Sequence, residues 1–231
     1  MSHKTRVEFD CPVILVGGGD VDWKQFEYAT GLGAPVVAVD SGADTLRDAG
    51  ISPDVIIGDM DSISDTRGWP ASTKIFKIRE QDSTDFEKAL YATTASLYLA
   101  FGFMGQRLDH SLAALHCLVK YRTRKSVVLI DCVDLMFIPT IPLVIDLSPG
   151  TRFSINPIAP VSFLGSEGLR YPLDGLTLET GIAIGTSNTV TESRVSVTPV
   201  NAEAGDYMVV VPNANLPYVI EWHTRQPSTS R

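Results

Sequence analysis

Two hydrophobic patterns divide this chain. Up to about residue 135, apolar residues come in short unbroken runs: Val13-Ile14-Leu15-Val16, Val36-Val37-Ala38-Val39, Val55-Ile56-Ile57, Leu97 to Phe103, and Val127-Val128-Leu129-Ile130. Runs of this length, apolar at every position, suit strands buried on both faces, as in a parallel sheet. Helical spacing appears between them. One helix is expected over Val21 to Thr30, and a short one over Ala43 to Ala49, stopped by Gly50. Thr84 followed by Glu87 forms a capping-box pattern, after which Phe86, Ala89, Leu90 and Thr93 recur at helical intervals. A further helix carries Leu108, Leu112, Leu115 and Val119, spaced to share one apolar face.

Beyond residue 135 the period changes to two. Short runs at Leu143 to Leu147, Arg152 to Ile155, Gly168 to Tyr171, Leu176 to Leu178, Arg194 to Thr198 and Tyr207 to Val211 are separated by turn residues such as Pro149-Gly150. Arg194-Val195-Ser196-Val197-Thr198 alternates polar and apolar residues without a break. Such strands read as a sandwich or a barrel. The expected organisation is an α/β domain over residues 1–140, an all-β domain over 141–223 and a disordered polar tail over 224–231. Trp222 suits the core of the second domain first, and an aromatic face for a ring second.

Composition narrows the class of protein. The 231 residues hold enough apolar material, 44%, to build a core without disulfides. The net charge of −8 argues against a nucleic-acid partner held through its phosphates. Cys11, Cys117 and Cys132 are odd in number and widely spaced, which suits neither a disulfide framework nor a zinc site. No apolar run reaches the roughly 20 residues that span a bilayer, and the N-terminus lacks the apolar core of a signal peptide. A soluble cytoplasmic protein is expected.

Polar residues collect where the buried strands end. Gly17-Gly18-Gly19-Asp20, Asp40-Ser41-Gly42, Gly58-Asp59-Met60-Asp61 and Gly105-Gln106-Arg107-Leu108-Asp109 all occupy such places. In open α/β sheets, ligands bind in the crevice beyond the carboxyl ends of the strands. The glycine run leaves backbone N–H groups open to a phosphate. It is neither a Gly-x-Gly-x-x-Gly fingerprint nor a Walker loop. Asp59 and Asp61 can turn toward one magnesium ion, and equally suit a solvated turn. Thr84 caps a helix whose first turn favours Asp85, and Asp85 can also face the crevice. Arg107 offers a planar fork for phosphate oxygens, whereas Asp109 suits either a ligand contact or a helix cap. His110, His116 and His223 have no partner at metal-ligand spacing and read as scaffold.

Four segments taken together resemble one family. They are Asp40-Ser41-Gly42-Ala43-Asp44; Pro53-Asp54-Val55-Ile56-Ile57-Gly58-Asp59-Met60-Asp61-Ser62-Ile63; Asp82-Ser83-Thr84-Asp85-Phe86-Glu87-Lys88-Ala89-Leu90; and Arg107-Leu108-Asp109-His110. In order and spacing they are similar to the thiamine pyrophosphokinases. Gly168 to Leu173 and Thr186-Ser187-Asn188-Thr189 resemble that family's C-terminal domain, so the likeness runs over roughly residues 13 to 212. Gln106 departs from it, because glycine is frequent at that position.

The resemblance implies a Rossmann-like α/β domain with a mostly parallel sheet and flanking helices, followed by a β-sandwich. It also implies a homodimer with active sites between subunits, and diphosphate transfer from ATP to the hydroxyl of thiamine with Mg2+, releasing AMP. Asp59, Asp61 and Asp85 map to metal and catalytic positions. Arg107 maps to a phosphate contact, and Asp109 to an acid near the substrate. Gly18, Gly19, Asp20, Asp40, Ser41, Gly42, Thr84 and Arg107 are the expected nucleotide contacts. Ser187 and Asn188 are the expected thiamine contacts. The rivals are a pterin-alcohol pyrophosphokinase, a metal-dependent glycosyl- or nucleotidyltransferase, and a binding module without catalysis.

Overall fold

A computed structural model of the chain describes residues 7–61, 63, 68–139, 142–200 and 205–226. Ser62 of the acidic run lies outside the described residues. So do 140–141, at the expected domain boundary, and 227–231, most of the expected tail. The chain forms two compact units, one of residues 1–117 and 127–132, the other of 118–126 and 133–231.

Along the first unit, β1 (Val7–Glu8), β2 (Val13–Val16), α1 (Trp23–Gly31), β3 (Val36–Val39), α2 (Gly42–Asp48), β4 (Val55–Gly58), β5 (Lys74–Lys77), α3 (Asp85–Ala92), β6 (Thr93–Thr94), β7 (Tyr98–Phe101), α4 (Leu108–Tyr121, its last four residues counted with the second unit) and β8 (Val127–Ile130) follow in order. Six of the strands form a parallel sheet in the order β8-β7-β2-β3-β4-β5. The unbroken apolar runs become β2, β3, β4, β7 and β8, buried at every position. Successive connections step away from β2 on one side through β3 and β4, and on the other side through β7 and β8. The direction of winding therefore reverses between β2 and β7, and this opens a crevice at their carboxyl ends.

β5 was not apparent from hydrophobicity. Lys74-Ile75-Phe76-Lys77 is an exposed edge strand, set by backbone pairing with β4. The apolar face expected on α4 is also turned. Leu108 and Leu112 are 75% and 58% exposed, whereas Ser111, Ala114, Cys117, Leu118 and Tyr121 are buried. The small side chains of Ser111, Ala114 and Cys117 let a helix approach its neighbours closely, and this outweighs the leucine stripe.

The second unit contains β9 (Asp134–Phe137), β10 (Leu143–Asp146), β11 (Arg152–Pro157), β12 (Val161–Glu167), β13 (Thr177–Leu178), β14 (Gly185–Thr189), β15 (Arg194–Pro199), β16 (Tyr207–Pro212), a 3-10 turn and α5 (Leu216–Thr224). One row of strands runs β14-β11-β16-β9, and a separate sheet runs β10-β15-β12-β13. Phe163 of β12 meets Tyr207 of β16 edge-on at 5.5 Å, so side chains of the two layers share one core, as in a sandwich. The segment Gly168 to Tyr171 makes a single bridge, Leu169 to Val190, in place of a strand. Trp222 is buried, but on α5 and against Phe137 rather than within a strand.

Candidate active site

The loops after β2, β3 and β7 line a cavity of about 470 Å³ in the first unit. Gly17, Gly18 and Gly19 form one wall, Asp40 and Ser41 a second, and Gly102 to Arg107 a third. Thr84, Asp85 and Phe86, at the start of α3, close a fourth side. The Phe86 and Phe103 rings lie 4.2 Å apart. His110, expected as scaffold, also lines the wall.

Close backbone approach explains the glycines. A Cβ on Gly42 would fall 1.9 Å from the Val16 carbonyl oxygen, and one on Gly18 would fall 2.2 Å from Ser41 Oγ. Both glycines let the loops after β2 and β3 touch. Asp40, Met60 and Gln106 have φ of 47°, 64° and 40°. Left-handed backbone at non-glycine residues is uncommon and concentrates at functional sites.

Three carboxylates converge here. Ligand oxygens of Asp40, Asp59 and Asp85 lie within 4.8 Å of one another. They arrive from three elements: Asp40 ends β3, Asp59 follows β4, and Asp85 opens α3. Thr84 caps α3 by accepting the Glu87 amide at 3.2 Å, which fixes where Asp85 emerges. Lys88, one turn further along α3, lies 3.0 Å from Asp85 Oδ1 and 3.3 Å from Asp59 Oδ2. Burial pushes the Asp59 carboxyl up, but the Asp61 amide, the Gln81 amide and Lys88 outweigh it and hold the group below the usual aspartate value. Burial would lower the Lys88 ammonium, yet its hydrogen bonds and charge pairing with Asp85 and Asp59 raise it.

Glu80 organises the approach to α3. Its Oε2 accepts the amides of Asp82 at 2.7 Å and Ser83 at 3.1 Å. Its Oε1 accepts the hydroxyls of Tyr91, at 3.0 Å, and Ser83.

The remaining expected residues divide by position. The Asp61 carboxylate is at the rim, 72% exposed and 3.7 Å from Lys77 Nζ. Its backbone amide binds Asp59 Oδ1 at 3.1 Å. Arg107 and Asp109 form an exposed forked pair, at 2.7 and 3.1 Å. Hydrogen bonding to Arg107 holds the Asp109 carboxyl below its usual range. Asp20 accepts the Gln106 side-chain amide at 2.7 Å, so Gln106 ties the loop after β7 to the loop after β2.

Ser187 and Asn188 belong to β14, in the second unit. Ser187 is exposed with φ 62°, and its amide binds Ser154 Oγ at 3.0 Å. Asn188 is buried and clamps Tyr171, accepting its amide at 3.0 Å and donating to its carbonyl at 2.6 Å. The roles of Lys88 and Glu80 were missed from sequence. Three-residue spacing from Asp85 to Lys88 on a helix was the available signal for the first. No local signal marks the second.

The donor set suits a hard divalent cation. All three converging groups are carboxylates, and magnesium takes one or two such oxygens together with water and phosphate.

Residues 34–130 match the family model described as thiamin pyrophosphokinase, catalytic domain, and residues 142–200 match thiamin pyrophosphokinase, vitamin B1 binding domain. The chain is 30% identical to thiamine pyrophosphokinase of Bacillus subtilis (strain 168) over 171 residues, covering 68% of this chain and 79% of that protein. It is 29% identical to thiamin pyrophosphokinase 1 of Caenorhabditis elegans over 161 residues, covering 62% of this chain and 65% of that one. With thiamine pyrophosphokinase 1 of Arabidopsis thaliana the identity is 32% over 164 residues, 63% of this chain and 61% of that one. The chain thus spans somewhat less than two-thirds of the length of the worm and plant relatives. In fold it is similar to the crystal structure of thiamine pyrophosphokinase from Bacillus subtilis, with TM-score 0.72 and 24% identity over 87% of this chain and 98% of that one. Yeast thiamin pyrophosphokinase gives TM-score 0.71 and 17% identity over 90% and 92%. Both domain models fall in order along one chain, and a bacterial relative is matched over most of its length, so this chain belongs to the thiamine pyrophosphokinase family.

Proposed function

We propose that this protein transfers the diphosphate of ATP to the hydroxyl of thiamine, giving thiamine diphosphate and AMP. The observation that carries this reading is the meeting of Asp40, Asp59 and Asp85 beside a cavity walled by glycines and a helix start. The first unit is the nucleotide-binding half. The second, which carries the vitamin B1 match, is the thiamine-binding half.

In the proposed reaction the thiamine hydroxyl attacks the β-phosphorus in line. The bond from that phosphorus to the oxygen bridging toward the α-phosphorus breaks, and AMP leaves. Asp40, Asp59 and Asp85 would hold the magnesium, with Asp61 joining from the rim. When bound there, the cation would supply charge neutralisation for the phosphate oxygens during transfer. Arg107 supplies fixed positive charge to the transferred group. The backbone amide of Gly18 faces the phosphates, whereas the Gly17 and Gly19 amides, expected to be open, donate to the Phe101 and Gly102 carbonyls at 2.8 Å; Gly19, Asp20, Ser41, Gly42 and Thr84 shape the loops around the phosphates. Asp85 or Asp109 takes the hydroxyl proton, although positioning and electrostatics carry most of such a transfer. Asp109, held low by Arg107, suits a charge partner better than a base. Ser187 and Asn188 are assigned to the thiamine side.

We further propose a homodimer in which each site is completed by the other subunit. Leu164, Tyr171, Ile182 and Ile184, each more than half exposed, support a covered surface on the second unit. The free cysteines suit the cytoplasm, and among the described residues no helix is long and apolar enough to cross a membrane.

One assay tests the reaction. Protein, ATP, magnesium and thiamine are incubated and the products separated. Thiamine diphosphate with equimolar AMP is expected. ADP, free pyrophosphate or no turnover would reject the assignment. Light scattering during gel filtration tests the dimer.

A further inference from the structure

Lys88 is 1% exposed, a depth at which lysine almost never occurs unless it is paired. Both of its partners belong to the carboxylate cluster: Asp85 at 3.0 Å and Asp59 at 3.3 Å. A lysine serving only to steady a surface loop keeps its head in water, as Lys77 does at 44% exposure beside Asp61. The alternative explanation, a helix-surface i,i+3 pair, accounts for Asp85 but not for the second contact to Asp59 on another loop.

Charge gives this arrangement a purpose. Asp40, Asp59 and Asp85 bring three negative charges within 4.8 Å of one another. Such a group repels itself, and it attracts a divalent cation more strongly as its charge count grows. One buried ammonium leaves two negative charges in place of three, which a single divalent cation balances. The Lys88 side chain spans the oxygens of Asp59 and Asp85, so it also fixes the gap between them before any cation arrives.

We infer that Lys88 is a positioning residue that sets the net charge and carboxylate spacing of the divalent-cation site, weakening cation binding relative to a bare three-carboxylate site. This rests on the reading that Asp40, Asp59 and Asp85 hold the cation. A cation held less tightly can arrive and leave with the nucleotide at each turnover.

The test is manganese binding without nucleotide, followed by electron paramagnetic resonance as loss of the free-ion signal. Wild type is compared with Lys88→Gln, Lys88→Met and Lys88→Arg. In the two neutral variants manganese affinity is expected to rise at least tenfold and kcat to fall, while the arginine variant stays within about threefold of wild-type affinity. Manganese should also raise the melting temperature of the neutral variants more than that of wild type. Unchanged or weaker affinity in a neutral variant with a native circular dichroism spectrum overturns the role of Lys88. An arginine variant that gains tenfold overturns it too, because charge is then not the cause. Neutral variants that fold only when manganese is added support it. If wild type binds no manganese at millimolar concentration, the cation reading itself fails and takes this role with it.

Discussion

Glu80 touches no part of the cavity, yet the geometry gives it control over the start of α3. Its carboxylate accepts two backbone amides on Oε2 and two hydroxyls on Oε1. Glu80→Ala deletes all four bonds. Each bond to a charged acceptor contributes about 1.5–3 kcal/mol when shielded and less where water can replace it. For this half-buried group the loss should be about 2–4 kcal/mol. At about 3 °C per kcal/mol for a chain of this size, the melting temperature falls by roughly 6–12 °C. Glu80→Gln should cost only about 1 kcal/mol, because its amide oxygen can keep the two backbone donors while its NH2 turns to hydroxyls that rotate to accept. Turnover of Glu80→Ala should fall about tenfold, since Thr84 and Asp85 follow directly.

The same group predicts a pH dependence. Burial pushes the Glu80 carboxyl up, but the Ser83 and Tyr91 hydroxyls, the Asp82 amide and the Lys88 charge outweigh it, holding the group below its usual 4.5. A carboxyl lowered in the folded state contributes stability that is fully present above its unfolded value. That stability is lost as the pH falls from about 4.5 through the folded value. Urea titrations at pH 7 and pH 4, read by circular dichroism, measure both effects. A glutamine variant as unstable as the alanine variant refutes the hydroxyl-rotation argument. Wild-type stability and turnover in Glu80→Ala refutes the whole account.

Three further outcomes follow from the geometry. Asp59→Asn and Asp61→Asn should each abolish magnesium-dependent diphosphate transfer, and near-normal turnover in both would remove the metal assignment. Asn188→Ala loses both hydrogen bonds to Tyr171 from a buried position, so chemical denaturation should show a loss of about 2–3 kcal/mol. Gln106→Gly relieves a left-handed φ of 40° and removes the bond to Asp20. Stability should rise by up to about 1 kcal/mol while the KM for ATP increases, and an unchanged KM would deny the tie any part in binding.

The buried strands were legible because a strand covered on both faces has no polar position to disguise it. The cavity followed from them, since four of the five runs are followed directly by glycine or aspartate. Other features were hidden for stated reasons. β5 is held by backbone pairing, to which Lys74 and Lys77 are indifferent. The leucine stripe of α4 gave way to a face of small residues, because close packing rewards shape as much as hydrophobicity. α5, only nine residues long, was not among the expected helices. At the site, the family resemblance pointed to Asp59, Asp61 and Asp85, whereas the third dimension adds Asp40 to the cluster and leaves the Asp61 side chain at the rim. That difference lies in which loops face each other across β3 and β4, and no local pattern records it.

Asp40 and Asp59 come directly after β3 and β4, two interior strands of the six-stranded parallel sheet, and this bears on how the site fluctuates. Amides in these strands open to solvent hydrogen exchange only when the sheet itself comes apart, and such amides mark the last structure to yield. Asp40 and Asp59 should therefore be anchored beside slow-exchanging amides, while Gln106 and Asp20, which tie the loops after β7 and β2 together, are carried outside the strands. Hydrogen exchange should accordingly show the floor of the cavity protected and its rim exchanging first.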